Sequence, residues 1–240
     1  MISIPYDFHI HSCLSPCADD DMTPANIIGM AAIKGLRAIA ITDHNSCLHC
    51  KTAMELGERY GIVVIPGMEL TTREEVHVLC LFEQLKDALQ FDAYVQTKLL
   101  HTRNDPKIFG KQIIMDDKDC ESGEFESLLI QATSISFDDV YPFIKSYGGI
   151  MIPAHIDKSS NSLLSTLGFI PQTSQFSCVE IRDGNQKTQL LKIHPYLQEC
   201  VFIKNSDAHR LSDMNEPVHY LKVNEVSRKE ILRSLCIPKD

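Results

Sequence analysis

Tryptophan is absent from the 240 residues, which removes one stacking platform and excludes nothing else. Basic charge is scarce: 23 Lys and Arg stand against 32 Asp and Glu, a formal charge of −9. A broad basic surface for gripping extended nucleic acid is not expected from that balance. No stretch reaches the roughly 18 uncharged apolar residues of a membrane-spanning helix, so no membrane partner is expected. Met1 to Phe8 has no basic segment followed by an apolar run. No secretory signal is therefore visible there, and a cytoplasmic location is expected. Repeats and low-complexity tracts are missing too. The nine cysteines are odd in number and dispersed, which reads as reduced thiols and not as a disulfide framework.

Apolar residues make up 44% of the chain, enough for a sizeable core and too many for a disordered chain. At about 150 residues per domain, residues 1–240 read as one domain carrying an inserted loop or helical segment at about 84–135. Tyr6 to His11 reads as a first strand. Thr23-Pro24 opens a helix, because Thr caps well and Pro suits the first helical position, with Gly35 as its stop. Leu36 to Ile41 is a short apolar strand. A helix from about Leu48 to Tyr60 ends at Gly61, and Ile62 to Ile65 is a strand closed by Pro66-Gly67. This alternation of strand and amphipathic helix predicts βα units. Strands are predicted again at Val76 to Phe82, Ile150 to Ile152, Ser177 to Ile181, Val201 to Lys204 and Tyr220 to Val223. Helices are predicted at Leu85 to Leu100, Phe137 to Tyr147 and Arg228 to Leu235. Asn104 to Glu126 is polar and aperiodic, with Asp116-Asp117-Lys118-Asp119 as its most solvated part.

The strands run into His, Asp or Glu: Thr42-Asp43-His44, Glu69, His155, and Asp207-Ala208-His209. Strands of a β/α barrel gather such groups at their C-terminal ends. His9 and His11 share one face of the first strand. A lone His near a strand end is more often a satisfied structural residue, and an Asp there is often a helix cap. Number and placement decide against that here. Six of the ten histidines, His9, His11, His44, His77, His155 and His209, lie in or beside apolar strands. That many unpaired buried imidazoles would be costly, and metal binding satisfies them together. His49, His101, His194 and His219 lack such settings and read as surface or structural.

The ordered motifs Asp7-Phe8-His9-Ile10-His11-Ser12, Ile41-Thr42-Asp43-His44-Asn45, Pro66-Gly67-Met68-Glu69, His77-Val78-Leu79, Pro153-Ala154-His155 and Ser206-Asp207-Ala208-His209 resemble those of the PHP (polymerase and histidinol phosphatase) phosphoesterases. The resemblance runs from residue 6 to about 210. It implies an α/β fold, a distorted seven-stranded β/α (TIM-like) barrel, holding two or three divalent transition metal ions drawn from Mn, Fe and Zn. Carried over by residue, it implies His9, His11, Glu69 and Asp207 for one ion. Glu69, His77 and His155 would hold a second, with Glu69 bridging, and Asp19, His44 and His209 a third. The loop Ser15-Pro16-Cys17-Ala18-Asp19-Asp20-Asp21 departs from the family's usual Ser-Asp-Gly. Counting back from Thr23-Pro24 favours Asp19, with Asp20 as the alternative.

The activity implied is hydrolysis of a phosphomonoester or short nucleotide by a metal-activated hydroxide, with Glu69, Asp207 and His209 catalytic and a small phosphorylated substrate. Arg210 and Lys158 are candidates for binding the phosphate, against the plainer reading of solvated charges. Arg103, Lys107 and Lys111 are candidates for a lid. Asp43 reads as a carboxylate orienting an imidazole or a turn, and Glu180 and Asp183 either do the same or pair with Arg182. Cys13, Cys17, Cys47 and Cys50 could form a Cys₄ zinc site; unligated thiols are the plainer reading. The alternatives are a histidinol-phosphate phosphatase and a non-catalytic metal-binding regulatory module. A metallo-amidohydrolase is disfavoured, because no strand-end Lys is seen.

Overall fold

The computed structural model describes residues 1–116 and 118–236. Asp117, part of the predicted solvated stretch, lies outside the described residues. The strands are β1 (Ile2–Ile10), β2 (Ala38–Ile41), β3 (Val63–Thr71), β4 (His77–Leu81), β5 (Ile113–Met115), β6 (Glu121–Glu124), β7 (Ile150–Pro153), β8 (Cys178–Glu180), β9 (Val201–Ile203) and β10 (Tyr220–Val223). The helices are α1 (Pro24–Ile33), α2 (Cys50–Tyr60), α3 (Leu85–Gln96), α4 (Pro106–Phe109), α5 (Phe137–Ser146), α6 (Leu163–Leu167), α7 (Lys187–Ile193) and α8 (Arg228–Ser234). Thr23 caps α1 as expected, its side chain accepting from the Asn26 amide, and left-handed Gly61 ends α2.

Six strands form one sheet in the order β10-β1-β2-β3-β4-β7, and β8 pairs separately with β9. The expected continuous seven-stranded barrel is therefore not the ladder observed. The two sheets meet through a few backbone bonds at their strand ends. Ile156 donates to the Glu180 carbonyl at 2.9 Å, and His11 donates to that of Ala208 at 2.9 Å. One apolar cluster nonetheless draws residues from both sheets: Phe8, Ala40, Ile65, Leu79, Ile152, Cys178 and Ile203. Residues of β10 and α8, including Leu221 and Ile231, join the same cluster.

Two local irregularities aim the functional side chains. The register of β1 against β2 shifts by one residue between Asp7 and Ile10. This bulge reverses the alternation. Tyr6 and Phe8 belong to the inner cluster, whereas Ile10 packs outward with Ile27 and Ile39. His9 and His11 consequently sit above Phe8 on the inner face.

The second irregularity corrects the expected end of β3. The strand does not close at Pro66-Gly67 but runs on to Thr71. Pro66 is the last residue of β3 to pair with parallel β2, and Gly67 the first to pair with antiparallel β4. Proline sits where the ladder changes sides and no amide is required of it. A Cβ on Gly67 would lie 2.5 Å from the Cys80 carbonyl oxygen, so only glycine allows β4 to approach. Glu69 is carried to the rim by this continuation.

The insertion is more ordered than its composition suggested. It holds α3, α4 and the β5–β6 hairpin. The hairpin leans on the loop after β1, with Ile113 donating to the Cys13 carbonyl at 2.8 Å. A Cβ on Gly110 would overlap the Pro16 carbonyl.

Candidate metal centre

Glu69 stands at the middle of the rim and is 1% exposed. Five imidazoles surround its carboxylate. His77 Nδ1, His9 Nε2 and His155 Nε2 lie 2.9, 3.2 and 3.2 Å from Oε1. His11 Nε2 and His44 Nδ1 each lie 3.3 Å from Oε2. Asp207 completes one side, its Oδ1 3.4 Å from Nε2 of both His9 and His11. His155 and Asp207 take left-handed backbone angles, φ 30° and 55°, which non-glycine residues rarely adopt and which cluster at functional sites.

Hydrogen bonds around the rings fix which nitrogen faces inward. A carboxylate can only accept, so the Ser15 hydroxyl donates to Asp43 Oδ1 at 2.7 Å. Its lone pairs then accept from the His44 amide and from His11 Nδ1, both at 3.1 Å. His11 Nε2 is thereby the nitrogen aimed at the cluster. Ser12 likewise donates to Asp43 Oδ2 at 2.6 Å and accepts from His49 Nδ1 at 2.7 Å. His49 Nε2 accepts in turn from the Met115 amide at 2.9 Å. On the other side, buried Glu180 accepts from His9 Nδ1 at 2.9 Å and from Asn205 at 3.0 Å. His209 Nδ1 donates to the Asp207 carbonyl at 2.7 Å.

These contacts set the charges. Burial alone would neutralise His9, but Glu180, Glu69 and Asp207 together hold its pKa well above the usual imidazole value. His11 is raised to about 9, with Asp207 and Glu69 overcoming burial. Burial and neighbouring imidazoles lower His44 well below its ordinary value and His209 to about 4. Burial would raise the Glu69 carboxyl, yet His77 and His9 hold it well below the carboxylate range. Among the described residues, Nδ1 of His44 and of His155 is buried with no hydrogen-bond partner, and His44 Nδ1 lies 3.3 Å from Glu69 Oε2. The unpartnered His44 nitrogen, beside the Glu69 carboxylate, fits a cation as a lone-pair ligand. Three groups of side chains among the described residues offer donor atoms within 4.8 Å of one another: His9, His11, Glu69; His44, Glu69, His77; and His11, Cys17, His44, His209.

The sequence model of the PHP domain matches residues 7–155, more than half of the chain. This chain belongs to the PHP domain family. The match ends at His155, so Asp207 and His209 lie beyond it and are joined to the PHP site by geometry alone. A phosphoribosyl 1,2-cyclic phosphate 1,2-diphosphodiesterase of Eggerthella lenta is 34% identical over 80 residues, 31% of this chain and 29% of that protein. A lesion-specific endonuclease from Pyrococcus furiosus has a similar fold, with a TM-score of 0.67 at 16% identity over 98% of this chain and 56% of that one. A Bifidobacterium adolescentis protein, described as a candidate metal-dependent phosphoesterase, gives 0.62 at 18% identity, covering 97% of this chain and 96% of that one. The chain thus spans under a third of the curated relative and about half of the endonuclease.

Of the expected PHP ligands, His9, His11, His44, Glu69, His77, His155, Asp207 and His209 come together. Asp19 does not. It is 52% exposed and pairs with Arg210 Nε at 3.3 Å, while Asp20 pairs with Lys111 at 2.6 Å. Both carboxylates therefore turn away, and the Cys17 sulfur lies with donor atoms of His11, His44 and His209. Its signal in the sequence was the thiol between Ser15 and Asp19, in a loop that departs from the family pattern. Arg210 lies outside the cluster, whereas Lys158 reaches it, 3.1 Å from Asp207 Oδ2. Glu180 orients His9 and leaves Arg182 alone; Asp183 caps a short turn through the Asn185 amide. His49, read as surface or structural, is buried against Ser12. The four cysteines of the conjectured zinc site form no such group among the described residues, since Cys50 contacts the Gly67 backbone and Cys13 the Ile113 carbonyl. Lys111 pairs with Asp20 of the loop after β1 at 2.6 Å.

Among the described residues, no helix is long and apolar enough to cross a membrane.

Proposed function

We propose that this chain is a metal-dependent phosphoesterase that hydrolyses a phosphomonoester or a short nucleotide. The observation that carries the reading is the convergence of five imidazoles on the one buried carboxylate of Glu69. A carboxylate so placed suits a bridging ligand between ions. The donor set favours Mn, Fe or Zn over Ca and Mg, which prefer oxygen. His9, His11, Glu69 and Asp207 would hold one ion, Glu69, His77 and His155 a second, and His44 and His209 would share a third. Bound divalent ions supply a lowered pKa for water and neutralise phosphoryl oxygens.

The chain's own groups do the rest. His209 and Lys158 lie at the part-open side of the cluster, so a phosphate enters past them. Lys158 is held against Asp207 at 3.1 Å and, with a cation taking up that carboxylate's charge, would be available to a phosphate. His209, with Nδ1 tied to the Asp207 carbonyl, keeps its Nε2 lone pair for ligation or for accepting a proton from the attacking water. The cyclic-phosphate diesterase and the endonuclease among the relatives extend the substrates worth testing to diesters. We read the strands around the shared apolar interior as a distorted seven-stranded barrel.

The test is phosphate release with added Mn from histidinol phosphate, nucleoside monophosphates, 3′,5′-bisphosphates, a cyclic phosphate and short oligonucleotides. His9→Ala should abolish turnover and retain the circular dichroism of the parent. Unchanged turnover in His9→Ala would sink the ligand assignment.

A further inference from the structure

We propose that Cys17 is a metal ligand, its thiolate closing the outermost subsite together with His44 and His209. The proposal deepens the metal-centre reading above and rests on it. It replaces a carboxylate by sulfur at the one subsite open to solvent.

Three observations carry it. Cys17 Sγ lies with donor atoms of His11, His44 and His209, all within 4.8 Å of one another. His44 Nδ1 is buried 3.3 Å from Glu69 Oε2 and, among the described residues, has no hydrogen-bond partner. His209 Nδ1 is spent on the Asp207 carbonyl at 2.7 Å, which leaves its other nitrogen for an ion.

The loop is also built to hold the thiol there. Ser15 and Ala18 donate to the Ser12 and Ser15 carbonyls at 2.9 and 3.0 Å. The Asp19 amide donates to the His209 carbonyl at 3.0 Å, stitching the loop to the segment that carries the partner ligand. Pro16 is pressed against Gly110 of the insertion. With these bonds made, the Asp19 side chain points outward to Arg210 and no carboxylate of this loop competes with the sulfur.

Ligation breaks the Cys17 S–H bond. Sulfur keeps the electron pair and donates it to the ion, and the proton passes to water. A thiolate donor favours zinc, ferrous or cobaltous ions over manganese or magnesium. Cys17 is exposed, so an alkylating reagent can reach it when no ion holds it; burial of the sulfur and the nearby Glu69 carboxylate raise the thiol's pKa, so the reaction is run at alkaline pH.

The experiment uses the full chain, stripped with chelator and titrated anaerobically with cobalt(II). Wild type, Cys17→Ser and Cys17→Asp are compared for cobalt content and for the near-ultraviolet thiolate-to-cobalt charge-transfer band. Wild type should develop the band, and both variants should lack it. Cys17→Asp should keep its cobalt content, while Cys17→Ser should lose the most weakly held ion. Zinc should shield Cys17 of wild type from iodoacetamide, as read by peptide mass, and magnesium should not. Equal bands in wild type and variants, with cobalt bound in all three, would overturn the thiolate ligand and leave the multi-ion centre standing. Wild type binding no cobalt and no zinc would overturn both.

Discussion

Glu180→Gln isolates what one buried charge does for a neighbouring ligand. Oε2 of Glu180 accepts from both His9 Nδ1 and Asn205 Nδ2, at 2.9 and 3.0 Å. A glutamine amide oxygen in that place can accept both bonds, so the shape survives and the charge goes. The amide nitrogen then lies where Oε1 was, 3.2 Å from His9 Nδ1, one donor facing another. Glu180 is 1% exposed, so water screens little of the loss. Removing such an orienting carboxylate typically costs 10- to 100-fold in metal affinity, about 1.4–2.7 kcal/mol. An unsatisfied buried donor adds about 1–3 kcal/mol of instability.

The pH dependence follows from the paired shifts. Glu180 is held below its ordinary value, with His9 overcoming burial, so its contribution is present above the unfolded carboxylate pKa and lost as pH falls. His9 is raised, so its share is present below the unfolded imidazole pKa and lost as pH rises through the folded value. The stability gap between parent and Glu180→Gln, before ions bind, should therefore be widest from mildly acidic to neutral pH and shrink on either side. Chelator competition for zinc and manganese, with thermal melts across pH, measures both effects. Affinity within twofold of the parent, together with a gap indifferent to pH, would refute the reasoning.

Other outcomes are as definite. Because His9 and His11 are held protonated, ion uptake should release protons, and affinity should climb with pH up to about 9; calorimetry in buffers of different ionisation enthalpy counts them. His49→Phe should keep the burial but lose the bonds to Ser12 and Met115, speeding amide exchange in the β5–β6 hairpin about tenfold, since one hydrogen bond is worth roughly 1 kcal/mol or more. Gly67→Ala should destabilise by about 1–3 kcal/mol through its contact with the Cys80 carbonyl, read as a lower denaturation midpoint.

The sequence was most legible where apolar periodicity and end signals agreed. Thr23, Pro24 and Gly61 bound their helices where capping chemistry puts them. The eight His, Glu and Asp side chains at strand ends converge because strand ends share a rim. What was illegible depends on partners distant in the chain. Pro66-Gly67 reads as a stop, and only the approach of β4 makes it a change of ladder. The bulge in β1 leaves no mark in local composition. Short α6 and α7 lack the turns needed for a periodic signal. In the loop after β1, three aspartates stand near the expected ligand position, but Arg210 and Lys111 draw two of them outward.

The contact between the insertion and the ligand loop bears on how this chain can be edited. Gly110 against Pro16, Ile113 bonded to Cys13 and Met115 bonded to His49 make residues of the hairpin a buttress for the first strand's ligands. Trimming residues 104–126, or exchanging them with those of another family member, is therefore not a cosmetic change at the periphery. It would slacken the scaffold behind His11 and Cys17, so a hybrid that folds normally should still retain its ions less well.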